Sequence, residues 1–300
     1  MSKNIYENAT TKLSRTRSLF LRGWKRLGKI LSTIAVNLFL FVLFAWAVYP
    51  LIWQFLTSFR TNVDLFANPW GLPTSFSLGN YVKVWNASPL PRYFLNSLIV
   101  SATSTVFILL FSSMAAYAFA RLKFPGSTIL LMFLLSLYFV PPHIALIPLL
   151  VMLKRLGLVD TYFALILPYI AFAIPFSTIL IRSFILGLPQ ELIDAALVDG
   201  CSKIRLFFSI VLPVIRPILA VVLVVQFVTC WNEYLFALVF LHSREVKTLP
   251  VGLLDFVGEY FTDWVATAAG LTLATIPVLI VYLVFRNQII SGMTAGAIKG

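Results

Sequence analysis

The fold class this sequence predicts is an all-α integral membrane protein with six transmembrane helices. Three observations predict it. Hydrophobic residues make up 60% of the 300-residue chain and charged residues only 11%, with a mean hydropathy of +0.94; soluble domains carry about 25% charged residues. The apolar residues gather into runs comparable to the roughly 20 residues that cross the hydrocarbon core of a bilayer. The basic residues stand at the ends of those runs, where membrane orientation is decided. That placement also argues against nucleic acid as the partner of a chain whose formal charge is +12.

Residues 1–30 read as a basic cytoplasmic tail, in which Lys3, Lys12, Arg15, Arg17, Arg22, Lys25, Arg26 and Lys29 face a single acid, Glu7. The apolar run after it is too long for a signal-peptide core, and no small-residue cleavage site stands out, so the tail is expected to be retained. Gly23 to Lys29 has the spacing of a phosphate loop, but Ile30 replaces the required Ser or Thr and no strand precedes it. No better match occurs, so the chain is not expected to hydrolyse ATP. The first span takes residues 31–57, apolar from 33 and broken by Pro50 toward its outer end. Residues 58–89, with Pro69, Gly71, Pro73 and Gly79, are too irregular to lie in lipid and form an extracytoplasmic loop.

The main transmembrane domain is expected over 90–287. Its first span, 94–119, is rich in small residues such as Ser101, Ser104, Ser112 and Ala116, which let helices approach closely. The next, 128–152, is broken or kinked by Pro141-Pro142, and 161–185 is kinked by Pro168 and Pro175. The last two spans, 218–241 and 266–286, flank a polar loop, and 288–300 form a C-terminal tail whose glycines at 292, 296 and 300 permit an extended path. With the N-terminus inside, sixteen Lys and Arg fall in cytoplasmic segments and seven in outer loops. The positive-inside rule then puts both termini and the stretch 188–217 in the cytoplasm.

That stretch, Leu188 to Pro217, is neither apolar enough to span nor loose enough to be a plain loop. Pro189 suits a first helical position, and Glu191 and Asp194 lie near the positive end of the helix it opens. Leu192, Ile193, Ala196 and Leu197 give that helix one apolar face. Gly200 is suited to end it in a left-handed conformation, and Ser202 to cap the next. The second helix places Ile204, Phe207, Phe208 and Val211 on one side, opposite Lys203, Arg205 and Ser209, and Pro213 and Pro217 close it.

The run Asp194-Ala195-Ala196, Asp199-Gly200 and Leu212-Pro213 resembles the cytoplasmic "EAA" loop of binding-protein-dependent ABC importer permeases. Aspartate stands here where that family usually has glutamate, and Cys201 where it commonly has alanine. The resemblance implies the type I importer permease fold. It makes the stretch a coupling helix that docks on a separate ATPase, through Glu191, Asp194, Ala195, Ala196, Asp199, Gly200, Leu212 and Pro213. Asn96-Ser97-Leu98, Lys247-Thr248-Leu249-Pro250-Val251, Ile276-Pro277 and the tail from Gly292 to Gly300 are similar to the maltose-permease-type carbohydrate subunit. The partners so implied are a second permease subunit in a heterodimer, an ABC ATPase dimer, an extracytoplasmic solute-binding protein and a carbohydrate. The site of action is the cytoplasmic membrane.

Within the spans the outstanding ionisable residue is Glu233, in Cys230-Trp231-Asn232-Glu233-Tyr234. A carboxylate at a helix centre costs about 2.5–3.5 kcal/mol on insertion scales, so it must face a cavity or a partner. Gln226, Cys230 and Glu233 fall at i, i+4 and i+7 and share a face of one helix. Two readings stay open. In the first, Gln226, Trp231, Asn232, Glu233 and Tyr234 line a polar path, with Trp231 and Tyr234 stacking on a sugar ring. In the second, Glu233 hydrogen-bonds a neighbouring helix. Cys201 and Cys230 lie in a polar loop and an apolar run, so neither a disulfide nor a metal is expected. No nucleophile pairs with a base, and neither an enzyme nor a bound cofactor is expected. The alternatives to a carbohydrate importer subunit are a permease for a non-sugar solute, or a proton-coupled secondary transporter using Glu233.

Overall fold

The computed structural model describes the backbone of residues 2–87, 89–256 and 262–297, with side chains placed over 29–86, 89–256 and 262–290. The chain divides into two compact units, 1–56 and 57–300. The first is a single helix, α1 (Ser2–Thr57), that runs through the basic tail and the first apolar segment. It passes through Pro50 unbroken, contrary to the sequence expectation. A proline removes only one intrahelical donor, and apolar spans tolerate it where local adjustment satisfies the freed group. From Lys29 to Thr57 none of its apolar window is buried, and Phe39, Phe41, Phe44 and Trp46 stand exposed; such a surface suits lipid rather than water.

In the second unit, α2 (Asn62–Ala67) and α3 (Gly79–Ala87) lead into α4 (Leu90–Arg121), the long central helix. Beyond it come α5 (Ser127–Tyr138), a 3-10 turn at Pro142–Ala145, and α6 (Leu146–Arg155). The helix α7 (Phe163–Leu186) precedes α8 (Gln190–Val198) and α9 (Lys203–Leu206). A π-helical segment (Phe207–Val211) joins α9 to α10 (Leu212–Val214) and α11 (Arg216–Asn232). The chain ends with α12 (Leu235–Phe240), α13 (Leu249–Gly252), a 3-10 turn at Leu253–Phe256, and α14 (Trp264–Ala297). The bundle is built on α4, which packs along α7 and α11, with α14 against the far side of α11.

Among the described residues, four helices are long and apolar enough to cross a membrane, and up to six spans result if each of two bent pairs counts as one. The expected third span is one such pair: α5 and the Pro142–Arg155 segment meet at 87° across Pro141 and Pro142. Each arm alone falls short of the roughly 20 residues a crossing needs. The expected fourth span passes through Pro168 and Pro175 as one helix. The expected fifth, 218–241, is two helices, because α11 stops where Glu233 turns extended. The C-terminal tail also departs from expectation. Here α14 continues through Gly292 and Gly296 to Ala297, while Lys299 and Gly300 lie outside the described residues.

Part of the segment expected to be a polar outer loop is buried. Thr248, Leu249, Val251 and Leu253 are covered, and Leu249 and Leu253 share a core with Tyr93, Trp231 and Ala266. Two motifs singled out in the sequence meet here. Asn96 Nδ2 donates to the carbonyls of Glu245 and Lys247 at 2.9 and 2.8 Å, and Ser97 Oγ accepts the Leu249 amide at 2.8 Å. Asn96 Oδ1 in turn accepts the Tyr162 hydroxyl at 2.6 Å. Gly252 allows the close approach, since an added Cβ would sit inside the Tyr93 ring. The neighbouring loop between α6 and α7 is held by Asp160, whose Oδ1 accepts the amides of His242 and Ser243. Burial pushes its carboxyl up, but those two amides outweigh it and hold it below the ordinary carboxylate value.

Candidate functional site

Two regions carry the sequence-predicted residues. The first is α8 together with α9 and α10. Pro189 stands at the N-cap rather than one residue inside, and Glu191 lies in the first turn, where a carboxylate complements the helix dipole. The helix ends in a Schellman motif: Gly200 takes φ of +78°, the Cys201 amide bonds Ala196 O and the Gly200 amide bonds Leu197 O. Ser202 Oγ then accepts the Arg205 amide and caps α9.

Only half of the apolar face expected of α8 is buried. Ile193 and Ala196 pack into a core with Ile185, Leu206 and Phe207, while Leu192, Leu197 and Val198 are exposed. Asp194 and Asp199 share that exposed surface with Glu191, Ala195 and Gly200. Leu212 and Pro213 lie further on and half-buried, in α10, at a bend of 76° before α11. The second helix does not keep the face expected of it. The π segment adds a residue to the turn, so Leu206, Phe207 and Val211 are buried while Ile204 and Phe208 are exposed.

The second region is a cavity of about 640 Å³ between α5, α7, α11 and α12. Its walls are aromatic: Tyr138 stacks on Phe176 at 5.7 Å between centroids, and Phe172 on Phe236 at 6.0 Å. Of the residues expected to line a path, Gln226, Asn232, Glu233 and Tyr234 reach this cavity, and Cys230 with them. Trp231 does not join them. It is buried on another face of α11, stacked on Phe227, edge-on to Phe94, with its indole N–H on Ala274 O at 3.1 Å. It therefore packs α11 against α14 and offers no ring to a solute.

Glu233 lies past the end of α11, so it is not the i+7 member of a continuous helical face. Its Oε1 accepts the Phe236 amide at 2.7 Å, and its Oε2 accepts the Ala237 amide at 3.2 Å and the Tyr169 hydroxyl at 2.6 Å. The carboxylate thus satisfies two orphan donors at the start of α12 and ties that break to α7. Gln226 donates to Ser177 Oγ at 3.0 Å and makes a second link to α7. A largely apolar cavity rich in aromatic rings, with a few fixed polar groups, suits a ring that has apolar faces and hydroxyl edges.

Sequence reasoning misses Tyr169 and Arg121. Tyr169 sits in an apolar run between two prolines with nothing to mark it. Arg121 stands in the sequence only as a basic residue ending a span, which is a signal for orientation and not for contact.

Residues 108–295 match the family described as "Binding-protein-dependent transport system inner membrane component". The chain is 38% identical over 266 residues to the "Probable ABC transporter permease protein YurM" of Bacillus subtilis (strain 168), covering 89% of this chain and 88% of that one. It is 35% identical to the "Arabinooligosaccharides transport system permease protein AraQ" of Halalkalibacterium halodurans, over 92% of this chain and 99% of that one. It is also 35% identical to the "Trehalose/maltose transport system permease protein MalG" of Thermococcus litoralis, over 84% and 92%. Among solved structures, a chain of a bacterial ABC transporter involved in the import of the acidic polysaccharide alginate superposes with a TM-score of 0.73 at 21% identity, over 86% of this chain and 96% of that one; this likeness speaks to fold. The fold is therefore that of an importer permease, a multi-pass membrane protein. The chain belongs to the binding-protein-dependent transport system inner membrane components, as a permease subunit of an ABC transporter.

Proposed function

We propose that this chain forms half of the translocation path of an ATP-driven importer for a carbohydrate, an oligosaccharide or related polyol. The observation that carries the reading is the cavity. Its stacked aromatic rings and the polar edges of Gln226, Asn232, Glu233 and Tyr234 match the alternating apolar and hydroxylated surface of a sugar. The names of the relatives support the same class, since they span arabinooligosaccharides, trehalose and maltose. In this reading a second permease completes the path, an extracytoplasmic solute-binding protein delivers the sugar, and an ATPase dimer docks on α8. The docking surface is the exposed Glu191, Asp194, Ala195, Asp199 and Gly200, with Leu192, Leu197 and Val198 as apolar anchors. Ala196 seats the helix on the bundle, and Leu212 and Pro213 set the bend into α11. The termini and α8 lie in the cytoplasm, by the charge bias of the loops.

The proton-carrier reading of Glu233 gains nothing from the geometry, because both carboxylate oxygens are engaged in capping and in the bond to Tyr169. The test is uptake of labelled maltose, raffinose and arabinotriose by cells carrying the intact system. The expected result is accumulation of at least one, abolished by ATP depletion and by Asp199→Lys on α8. Uptake that survives ATP depletion but not an uncoupler overturns the proposal.

A further inference from the structure

The last turn of α4 is the seat on which the coupling stretch rests. Three elements are hydrogen-bonded to it. Tyr117 donates its hydroxyl to Lys203 O of α9 at 3.3 Å, and Arg182 Nε of α7 donates to Phe119 O at 3.3 Å. Arg121 makes the richest set. Its Nη2 donates to Ile185 O and Leu188 O at 2.8 and 2.7 Å, and its Nη1 to Gln190 Oε1 at 2.5 Å. Gln190 passes the link on, donating from Nε2 to Asp194 Oδ1 at 2.9 Å. One guanidinium therefore joins the end of α4, the last carbonyls of α7, the first residue of α8 and, through Gln190, the acid of the coupling motif.

The physical need for such a clamp arises from α8 itself. It has nine residues, and isolated helices shorter than about 12–15 residues are marginal. Its buried anchors are Ile193 and Ala196, one medium and one small side chain on the same face. Two apolar contacts along one line leave rotation about that line and tilt free. A planar fork bonded on both sides of the α7–α8 turn removes that freedom. A lysine offers a point charge without the fork. The carbonyls it holds lie at the C-terminal end of α7, where a cation also complements the helix dipole.

We infer that Arg121 is the positioning residue of the coupling helix: it fixes the angle of α8 to α4 and α7, so that displacement at α8 is delivered to the bundle. This rests on the reading of α8 as the ATPase-docking helix. A purely structural cap would lower the amount of folded protein and leave coupling per molecule unchanged.

Two measurements on Arg121→Ala, Arg121→Lys and Gln190→Ala decide it. The first is amide hydrogen exchange of the full chain in nanodiscs. Exchange over 190–198 is expected to rise by about tenfold or more in Arg121→Ala, with the α4 amides of 96–110 unchanged; unchanged exchange over 190–198 overturns the inference. The second is uptake of labelled maltose, raffinose and arabinotriose by cells carrying the whole system. Uptake is expected to fall about tenfold in Arg121→Ala, with partial recovery in Arg121→Lys and a smaller loss in Gln190→Ala, while the ATPase still co-purifies in its usual ratio and still hydrolyses ATP. Wild-type uptake in Arg121→Ala overturns the inference. Should Arg121→Ala fail to accumulate, Gln190→Ala stands in for it, because that side chain is exposed and cutting it leaves the Arg121 bonds to Ile185 O and Leu188 O in place. If the unaltered chain takes up none of the three sugars, the carbohydrate reading fails and the exchange measurement still decides whether Arg121 fixes α8.

Discussion

The two ends of α4 are built on opposite plans. At its N-terminal end Asn96 and Ser97 bind main-chain groups of the 245–249 segment, Tyr93 donates to Asp255 and Gly252 lies against the Tyr93 ring. Thr248, Leu249 and Val251 are covered there. At the C-terminal end Arg121 holds the start of α8, yet Leu192, Leu197, Val198 and Ile204 remain exposed. One end buries the segment that it binds. The other, although it is also bonded to its neighbours and packed on a core, presents apolar side chains beside three acids. Interior bonds made by a buried polar group are costly to break singly, so the first end resists change. At the second, α8 rests on two buried side chains, Ile193 and Ala196, so that short helix opens at lower free energy than the core beneath it. Under the proposed function, α8 is the helix that a partner moves, and such an end suits it.

The comparison breaks most sharply at Asn96. Replacing it with Ala leaves the carbonyls of Glu245 and Lys247 and the Tyr162 hydroxyl without partners. These groups are part-buried, so each costs about 1 kcal/mol, the low end of the range for a buried orphan, and a total loss of about 3 kcal/mol is expected, read as a fall in thermal midpoint in nanodiscs. Gly252→Ala forces the Tyr93 ring aside and is expected to cost about 1–3 kcal/mol by overpacking. A variant of either kind that melts with the wild type would remove the distinction between the ends.

Much of this contrast is legible in the sequence, and the part that is not has a physical cause. Motif residues Asn96-Ser97 and Lys247–Val251 stand out separately, but nothing local says that a side chain 149 residues away accepts or donates to them. Apolar run lengths give the helices that cross. They do not distinguish a shallow kink from an 87° bend at Pro141-Pro142, because a proline states only that one donor is missing. The break at Glu233 is hidden for a related reason. A carboxylate in an apolar run reads as a costly charge inside a helix, whereas here it ends one helix and caps another. The Schellman end of α8 is visible because Gly200 declares its backbone directly. Trp231 is misplaced by sequence reasoning because a single-residue step along α11 turns a side chain by about 100°, from the cavity to the α14 contact.

A smaller effect sharpens the comparison between the cavity and its frame. Glu233→Ala removes the cap of α12 and is expected to cost about 0.5–2 kcal/mol, seen as faster exchange of the Phe236 and Ala237 amides. Glu233→Gln keeps one acceptor oxygen and should restore most of that protection. Uptake in Glu233→Gln should stay within a few-fold of wild type, since the residue's bonds are structural. Abolished uptake with protection intact would instead make its charge part of transport.

The smallest effect is expected at Asp263, which closes the same end as Asn96 but from the surface. Its carboxylate pairs with Lys83 and accepts from Asn62 and the Ala266 amide, joining α2 and α3 to the start of α14. Burial pushes the carboxyl up, but these partners outweigh it and hold it below its ordinary value. A depressed value in the folded state means the stabilisation is complete above the unfolded value, about 4, and is lost as pH falls through the lower folded one. Stability from this link should therefore be flat from neutral pH to about 5 and fall below about 4. Because Lys83 is largely exposed, the effect should stay under about 1 kcal/mol and shrink in high salt. Asp263→Asn should flatten the acid limb of thermal midpoint against pH without altering the neutral limb by more than that amount. An acid limb identical in the two proteins would move the pH sensitivity of this end to the other carboxylates held down there, Asp160 by His242 and Ser243 and Asp64 by Arg60.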